Sequence, residues 1–326
     1  MFSLLNATDL TICFTGNNRG LLSPCGCTIP AGGYPRISTE IKNIKGNILL
    51  AGVGNHLFHH SPMKNENQIF EQKKAFLQAE LMAELKYQVV NVGQFDLCYG
   101  IKPLLQIQNL YGLDFISANL TDLNGVHPFP SHKVINYRGM DIMFIGLCYL
   151  SDALNYRIND PIHSLEKLDN EGLFEEADLV ILLADVTSKK LADFVKEHNG
   201  IDLIVAAKEH KYTHLPLPYK TTSLVQLGSQ GKYLGKLNLT FNSSIKYWKD
   251  LSIYNFYVEE ARLALNNNTE SKNKRKKLKR HRNKLKKEMK SNPNHFTWDM
   301  TFLDELITDD LKIKNKIEKL LNLKKE

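Results

Sequence analysis

The chain has 326 residues, 43% of them apolar, and a formal net charge of +7. That is enough apolar material for a large core, and the five cysteines are too few and too uneven in number for a disulfide framework. No stretch approaches the roughly 18 continuous apolar residues that a membrane span requires, so a transmembrane protein is not expected.

In chain order, short β-branched apolar runs bounded by Gly, Asn or Asp predict strands at residues 10–14, 48–50, 87–92, 113–117, 140–147, 178–183, 202–205 and 223–227. Helical spacing of apolar residues falls at 69–86, 161–176 and 188–198. The alternation predicts an α/β protein with a largely parallel or mixed sheet. Arg138-Gly139 predicts a hairpin turn between 134–137 and the strand beginning at Met140. A second hairpin is expected between 235–241 and 246–253, through Asn242-Ser243-Ser244.

The character changes at Phe256. Residues 1–255 are expected to form the α/β domain and 256–326 a basic helical C-terminal extension. Within it, 256–290 predicts one long solvated helix, interrupted near 266–268 and stopped by Ser291-Asn292-Pro293. Residues 295–303 predict an extended piece and 304–323 an amphipathic helix. Lys272–Lys290 holds twelve Lys or Arg and one Glu, a net +11 against +7 for the whole chain, so the remainder carries −4. Such a helix would hold a polyanion, nucleic acid or an anionic surface, through released counterions; a protein partner and a merely solvated helix are the alternatives. It has neither interleaved aromatics for base stacking nor a wide apolar face of its own.

Met1–Ala7 lacks the basic-then-apolar pattern of a secretory leader. The chain as it stands reads as cytoplasmic, or as extracytoplasmic if a leader has been removed.

Cys13, Cys98 and Cys148 lie in apolar runs and are expected as buried core thiols. Cys25-Gly26-Cys27 differs: two thiols two residues apart can hold Zn²⁺ or Cu(I), or act as a redox pair, or sit in a structural turn. His56, His59, His60 and His210 are the available extra ligands.

Five loops follow predicted strands, where α/β proteins place their ligands. They are Thr15-Gly16-Asn17-Asn18-Arg19-Gly20, Gly52-Val53-Gly54-Asn55-His56, Gly93-Gln94-Phe95-Asp96, Ala184-Asp185-Val186-Thr187 and Ala206-Ala207-Lys208-Glu209-His210. With Pro24-Cys25-Gly26-Cys27, Gly32-Gly33-Tyr34-Pro35-Arg36, Ser117-Ala118-Asn119 and the glycine-rich stretch 227–235, this series resembles the 5′-nucleotidase branch of the calcineurin-like metallophosphoesterases, in its sub-branch with a Pro-Cys-Gly-Cys stretch. The resemblance runs from residue 10 to 241, roughly 70% of the chain.

The resemblance implies a four-layer sandwich of two mixed sheets flanked by helices. It also implies two divalent metals about 3.5–4 Å apart that clamp a phosphate ester and activate water. Carried over, the family's metal-ligand positions fall on Asn17, Arg19, Asn55, Gln94, Phe95, Asp185, Lys208 and His210, of which only His210 keeps the family's residue. An amide replaces an anion at Asn17 and Asn55, and Arg19 and Lys208 bring fixed cations. At 4 Å and an effective dielectric near 20, each cation would repel a neighbouring unit positive charge by about 4 kcal/mol.

The expectation is therefore a divergent member without its dinuclear centre, acting as a non-catalytic binding protein. Its cleft would be rimmed by the anion-binding groups Arg19, Lys208 and His210, unless Arg19 and Lys208 simply pair with Asp96 and Asp185. The alternatives are an active phosphate-ester or nucleotide hydrolase using Mn, Zn or Mg in an altered site, and a thiol-based metal or redox protein centred on Cys25 and Cys27.

Overall fold

The computed structural model describes residues 8–59, 66–149, 155–241, 248–266, 272–291 and 294–322. The N-terminal half runs β1 (Thr8–Thr15), α1 (Tyr34–Asn43), β2 (Asn47–Gly52), α2 (Glu66–Glu84), β3 (Val89–Asn91), α3 (Lys102–Tyr111), β4 (Phe115–Ile116), β5 (Leu120–Thr121), β6 (His132–Tyr137) and β7 (Met140–Leu147). It continues with β8 (Arg157–Ile158), α4 (Pro161–Asn170), β9 (Leu179–Ala184), α5 (Ser188–Glu197), β10 (Leu203–Ala206), β11 (Leu217–Tyr219), β12 (Thr222–Gln226) and β13 (Tyr233–Phe241). The chain closes with β14 (Lys249–Asp250), α6 (Ser252–Asn266), α7 (Lys272–Lys290), β15 (His295–Phe302) and α8 (Leu311–Asn322).

Two sheets form. One has the order β14-β15-β13-β1-β2-β3-β4, with β1 to β4 parallel and β13 antiparallel to β1. The other has the order β11-β12-β10-β9-β7-β6, parallel from β7 to β12 with antiparallel edges. Alternation along each strand explains why they stack. Leu10, Ile12 and Phe14 of β1 meet Ile142, Phe144, Ile181 and Leu183 in one buried layer between the sheets. The intervening residues Met143, Ile145, Val180 and Leu182 turn the other way, onto Leu165 of α4 and Leu191, Phe194 and Val195 of α5. Cys13 turns from β1 to Tyr34 and Ile37 of α1, Ala79 and Met82 of α2, and Ile313 and Ile317 of α8. The result is the expected four-layer α/β sandwich. Strands buried on both faces read as continuous apolar runs, which is why they were visible in the sequence.

Local chemistry sets the ends. Asp160 caps α4 by accepting from Ile162 and His163 amides, with Pro161 in the first turn. The helix stops at Asn170, short of the expected 176, where Gly172 turns left-handed. The β6–β7 hairpin forms as expected, with Arg138 at φ 52° and Gly139 at φ 85°. Cys13 and Cys148 are fully buried, but Cys98 is only half-buried, its thiol donating to the His59 carbonyl over 3.1 Å.

The expected second hairpin is corrected: β13 pairs antiparallel with β15, some 60 residues later, and among the described residues not with 248–253. Asn242-Ser243-Ser244 lies outside the described residues. β14 instead lies parallel to β15. The sheet position of β15 is fixed by Trp298, whose ring covers Gly235 so closely that a Cβ there would meet it at 2.4 Å. Its amide also donates to Ser252 Oγ at 2.8 Å.

The 256–326 segment divides accordingly. β15 belongs to the seven-stranded sheet, and α8 packs on α1 and α2, with Lys316 bonded to Glu80 and Glu84. The long helix, expected to be interrupted near 266–268, is two helices, α6 ending at Asn266 and α7 beginning at Lys272, packed on one another.

Candidate functional site

The loops after β1, β2, β3, β9, β10 and β12 converge at the carboxyl edges of the two sheets, and their backbones are tied before their side chains are considered. The amide of Asn17 donates to the Gly54 carbonyl and that of Arg19 to the Asn55 carbonyl, each at 2.8 Å. Asn17, Arg19 and Asn55 take φ values of 54°, 54° and 56°. Asn accepts this left-handed region at low cost; Arg does so because the loop holds it there. Gly93 is required by proximity, since a Cβ there would meet the Asn55 amide nitrogen at 2.3 Å.

The side chains then bond chiefly to one another. Asn17, fully buried, donates through Nδ2 to the Gly228 carbonyl at 2.9 Å and accepts from Arg19 Nε at 2.8 Å. Asn55 donates to Asp185 Oδ1 at 2.7 Å and accepts from the Phe95 amide at 2.8 Å. Asp185, 0% exposed, also accepts from the Gln94 amide at 2.7 Å and lies 3.7 Å from Lys208 Nζ. Lys208 donates to Gln94 Oε1 at 2.6 Å. The Phe95 ring lies near both cations, with Arg19 at 5.0 Å and Lys208 at 5.5 Å from its centroid, and Lys208 also stands 3.8 Å from the Tyr149 ring centre.

Burial lowers the Lys208 ammonium, opposed chiefly by Asp185, and lowers the Arg19 guanidinium, again opposed by Asp185. Burial also raises the Asp185 carboxyl, with Lys208 pulling it down. Of the two cations, Lys208 is ion-paired with this carboxylate, and Arg19 donates to the neutral Asn17.

Asp96 has a different part from the expected one. Its carboxylate accepts from the amides of Asn55, Leu57 and Gly93 at 2.8, 2.8 and 2.9 Å, so it anchors backbone and makes no pair with Arg19. Burial pushes it up to about 6, against those three amides. The signal was present: Gly93 and Asp96 stand at helix N-cap and third-residue spacing, where a carboxylate returns to the cap amide.

His210 is exposed and turns its Nδ1 to Ser229 Oγ at 2.9 Å, on the loop whose Gly228 holds Asn17. His56 is fully buried, edge-on to Tyr87, and burial drives it down to about 3, so it is neutral. His60 lies outside the described residues.

Cys25 and Cys27 are both free thiols. Cys27 points to Gln230 Oε1 at 3.6 Å. Burial pushes the Cys25 thiol up, but the Cys27 thiol, the Ala31 and Cys27 backbone and Lys232 outweigh it, so it lies below its ordinary value. Among the described residues no three His, Cys, Asp or Glu side chains gather as a metal would need.

The donor set at the sheet edges does not fit a pair of dications. The amide oxygens of Asn17 and Asn55 are already accepting from Arg19 and from Phe95, the buried carboxylate faces an ammonium, and Phe95 offers no lone pair.

No family model matches the sequence, and no curated protein sequence matches it. Solved structures do match in fold. The 5′-nucleotidase precursor of Thermus thermophilus superposes with a TM-score of 0.68 over 96% of this chain, at 16% identity. The sulfate thiohydrolase SoxB of the same organism gives 0.69 over 98% at 13% identity. The calcineurin-like phosphoesterase YfkN of Bacillus subtilis gives 0.63 at 14% identity, covering 97% of both chains. The chain spans 58% of the length of the first of these and 62% of the second. At such identities the likeness is one of fold. The chain has the fold of these calcineurin-like phosphoesterases and 5′-nucleotidases.

Proposed function

We propose that the chain is a non-catalytic binding protein built on a phosphoesterase fold, with a cleft that takes a small anion such as a phosphate ester or carboxylate. One observation carries this reading: Arg19 and Lys208 both stand by the Phe95 ring, yet only Lys208 is ion-paired with Asp185, while Asp96 is held by backbone amides and Arg19 donates to the neutral Asn17. A bound anion would supply the missing counter-charge through charge-assisted hydrogen bonds. His210, exposed at the rim, is the further donor available to it.

The test is direct. Protein purified without chelator is expected to carry no stoichiometric Mn, Zn or Mg by elemental analysis, and to leave bis-p-nitrophenyl phosphate intact when given Mn²⁺. Inorganic phosphate is expected to raise its melting temperature, and Lys208→Met to abolish that rise. Metal-dependent turnover that survives repurification would overturn the reading in favour of an altered but working hydrolase.

A second reading, thiol chemistry at Cys25 and Cys27, has one observation in its favour: both thiols are free and Cys25 is held below its ordinary value. Stoichiometric zinc or copper that disappears in Cys25→Ser/Cys27→Ser would support it; complete retention of metal by that double variant would remove it.

A further inference from the structure

The fold-back of α6 on α7 places side by side two features that follow one another in the sequence. α7 is a polybasic rod about 28 Å long at 1.5 Å per residue. Lys276, Lys277, Lys279, Arg280, Lys284 and Lys287 are all exposed along it. Beside it, α6 exposes Ile253, Phe256, Tyr257 and Leu263, at 40, 43, 46 and 54%. Ile253, Phe256 and Tyr257 follow three- and four-residue helical spacing and Leu263 lies two turns beyond Phe256, so the four share one side of α6, with the exposed Glu260 between Tyr257 and Leu263. The two helices touch through Tyr257, whose ring centre is 6.4 Å from that of His281 on α7 and 5.8 Å from that of Phe256. Neither helix alone has both properties; the pair presents a cationic face with an apolar, partly aromatic stripe alongside.

We propose that the α6–α7 pair is a docking surface for an anionic lipid bilayer, on which it lies without spanning. Three observations favour a bilayer over a nucleic acid. Nine of the twelve cations on α7 are Lys, point charges suited to a diffuse anionic surface, whereas Arg is the residue suited to phosphate forks and base edges. The stripe on α6 is half aliphatic, and Ile253 and Leu263 offer no ring on which a base could stack. Interfacial helices combine this arrangement, cations on one side and Phe, Tyr, Leu or Ile on the other, at the headgroup boundary. Charge also orients the molecule. With +11 on α7 and −4 on the remainder, the body is repelled from the surface that attracts the helix. No helix among the described residues is long and apolar enough to cross a membrane, so the association is peripheral.

The experiment is co-sedimentation of the full chain with vesicles of phosphatidylcholine alone and of phosphatidylcholine with phosphatidylserine, at low and high salt. Binding is expected only with phosphatidylserine and is expected to weaken as salt rises. Each Lys or Arg near such a surface adds about fivefold, so Lys276→Gln, Lys277→Gln, Lys279→Gln and Arg280→Gln together are expected to lower the partition by about 10³-fold.

A second arm keeps the native charge. Phe256→Trp places an indole in the stripe, and brominated lipid is expected to quench it on binding. The native Trp248 and Trp298, only 6 and 3% exposed, should stay bright. Equal binding to both vesicle types overturns the proposal. So does binding that leaves the new indole unquenched, or a protein that binds a single-stranded RNA and ignores the vesicles.

Discussion

The loop cluster at the sheet edges and the α6–α7 pair both carry Lys and Arg, but the two regions use them in opposite ways. In the cleft, Lys208 is partly buried, lies 3.7 Å from Asp185 and donates to Gln94, so removing it changes what its neighbours must do. On α7 Lys276, Lys277, Lys279, Arg280, Lys284 and Lys287 are exposed to water, and the helix packs on α6. Desolvation makes the difference. A charge removed from water is tied to specific partners, whereas a solvated charge contributes to a field and can be removed singly at little cost.

That contrast can be broken or sharpened by substitution. The largest effect is expected at Asp96, because Asp96→Ala leaves three buried amides without an acceptor. Urea unfolding should show a loss of about 4 kcal/mol. Next is Lys208→Met, which leaves the Asp185 carboxylate buried without its cation; a loss of about 3 kcal/mol is expected in the same assay.

The pH dependence follows from Asp96. Burial raises its carboxyl from 3.8 to about 6, so between those values the folded protein holds this proton more tightly than the unfolded chain. The stability that the proton confers is present at the acid end and is lost as the pH climbs through about 6. Unfolding followed across that window should show the decline, and Asp96→Asn should flatten it. The smallest effect is expected at exposed Lys284, where Lys284→Gln should change stability by less than about 0.5 kcal/mol. Should Lys284→Gln prove as costly as Lys208→Met, the contrast between the two regions disappears.

The same physics decides what the sequence could reveal. The strands at 10–14, 140–147 and 178–183 were legible because both faces of each are largely buried, so the runs are nearly all apolar, with Thr11, Asp141 and Asp178 as the polar exceptions. The β6–β7 hairpin was legible because its turn is local. The partner of β13 was not, since β15 lies beyond two helices and nothing in residues 235–241 names a strand so distant. The break near 266–268 was legible from its asparagines and α6 ends at Asn266, but the contact of α6 with α7 emerged only in three dimensions.

At the cleft, the identities of Asn17, Asn55, Asp185 and Lys208 were legible as loop residues after strands, and the Lys208–Asp185 pair was among the expected alternatives. The partner of Arg19 was not legible. It donates to Asn17 two residues away, because left-handed backbone at both positions brings the two side chains together. His56 illustrates the opposite limit: a histidine beside a glycine-rich loop looks like a ligand, yet the core encloses it.

The position of β15 has a consequence for biosynthesis. Until residue 302 has emerged from the ribosome, the nine residues of β13 form an open border beside β1, with a row of hydrogen-bonding groups facing outward. The nascent sandwich must wait, through the translation of both helices of the basic pair, for the segment that seals it. Premature termination anywhere in that interval would release a molecule with a sticky flank.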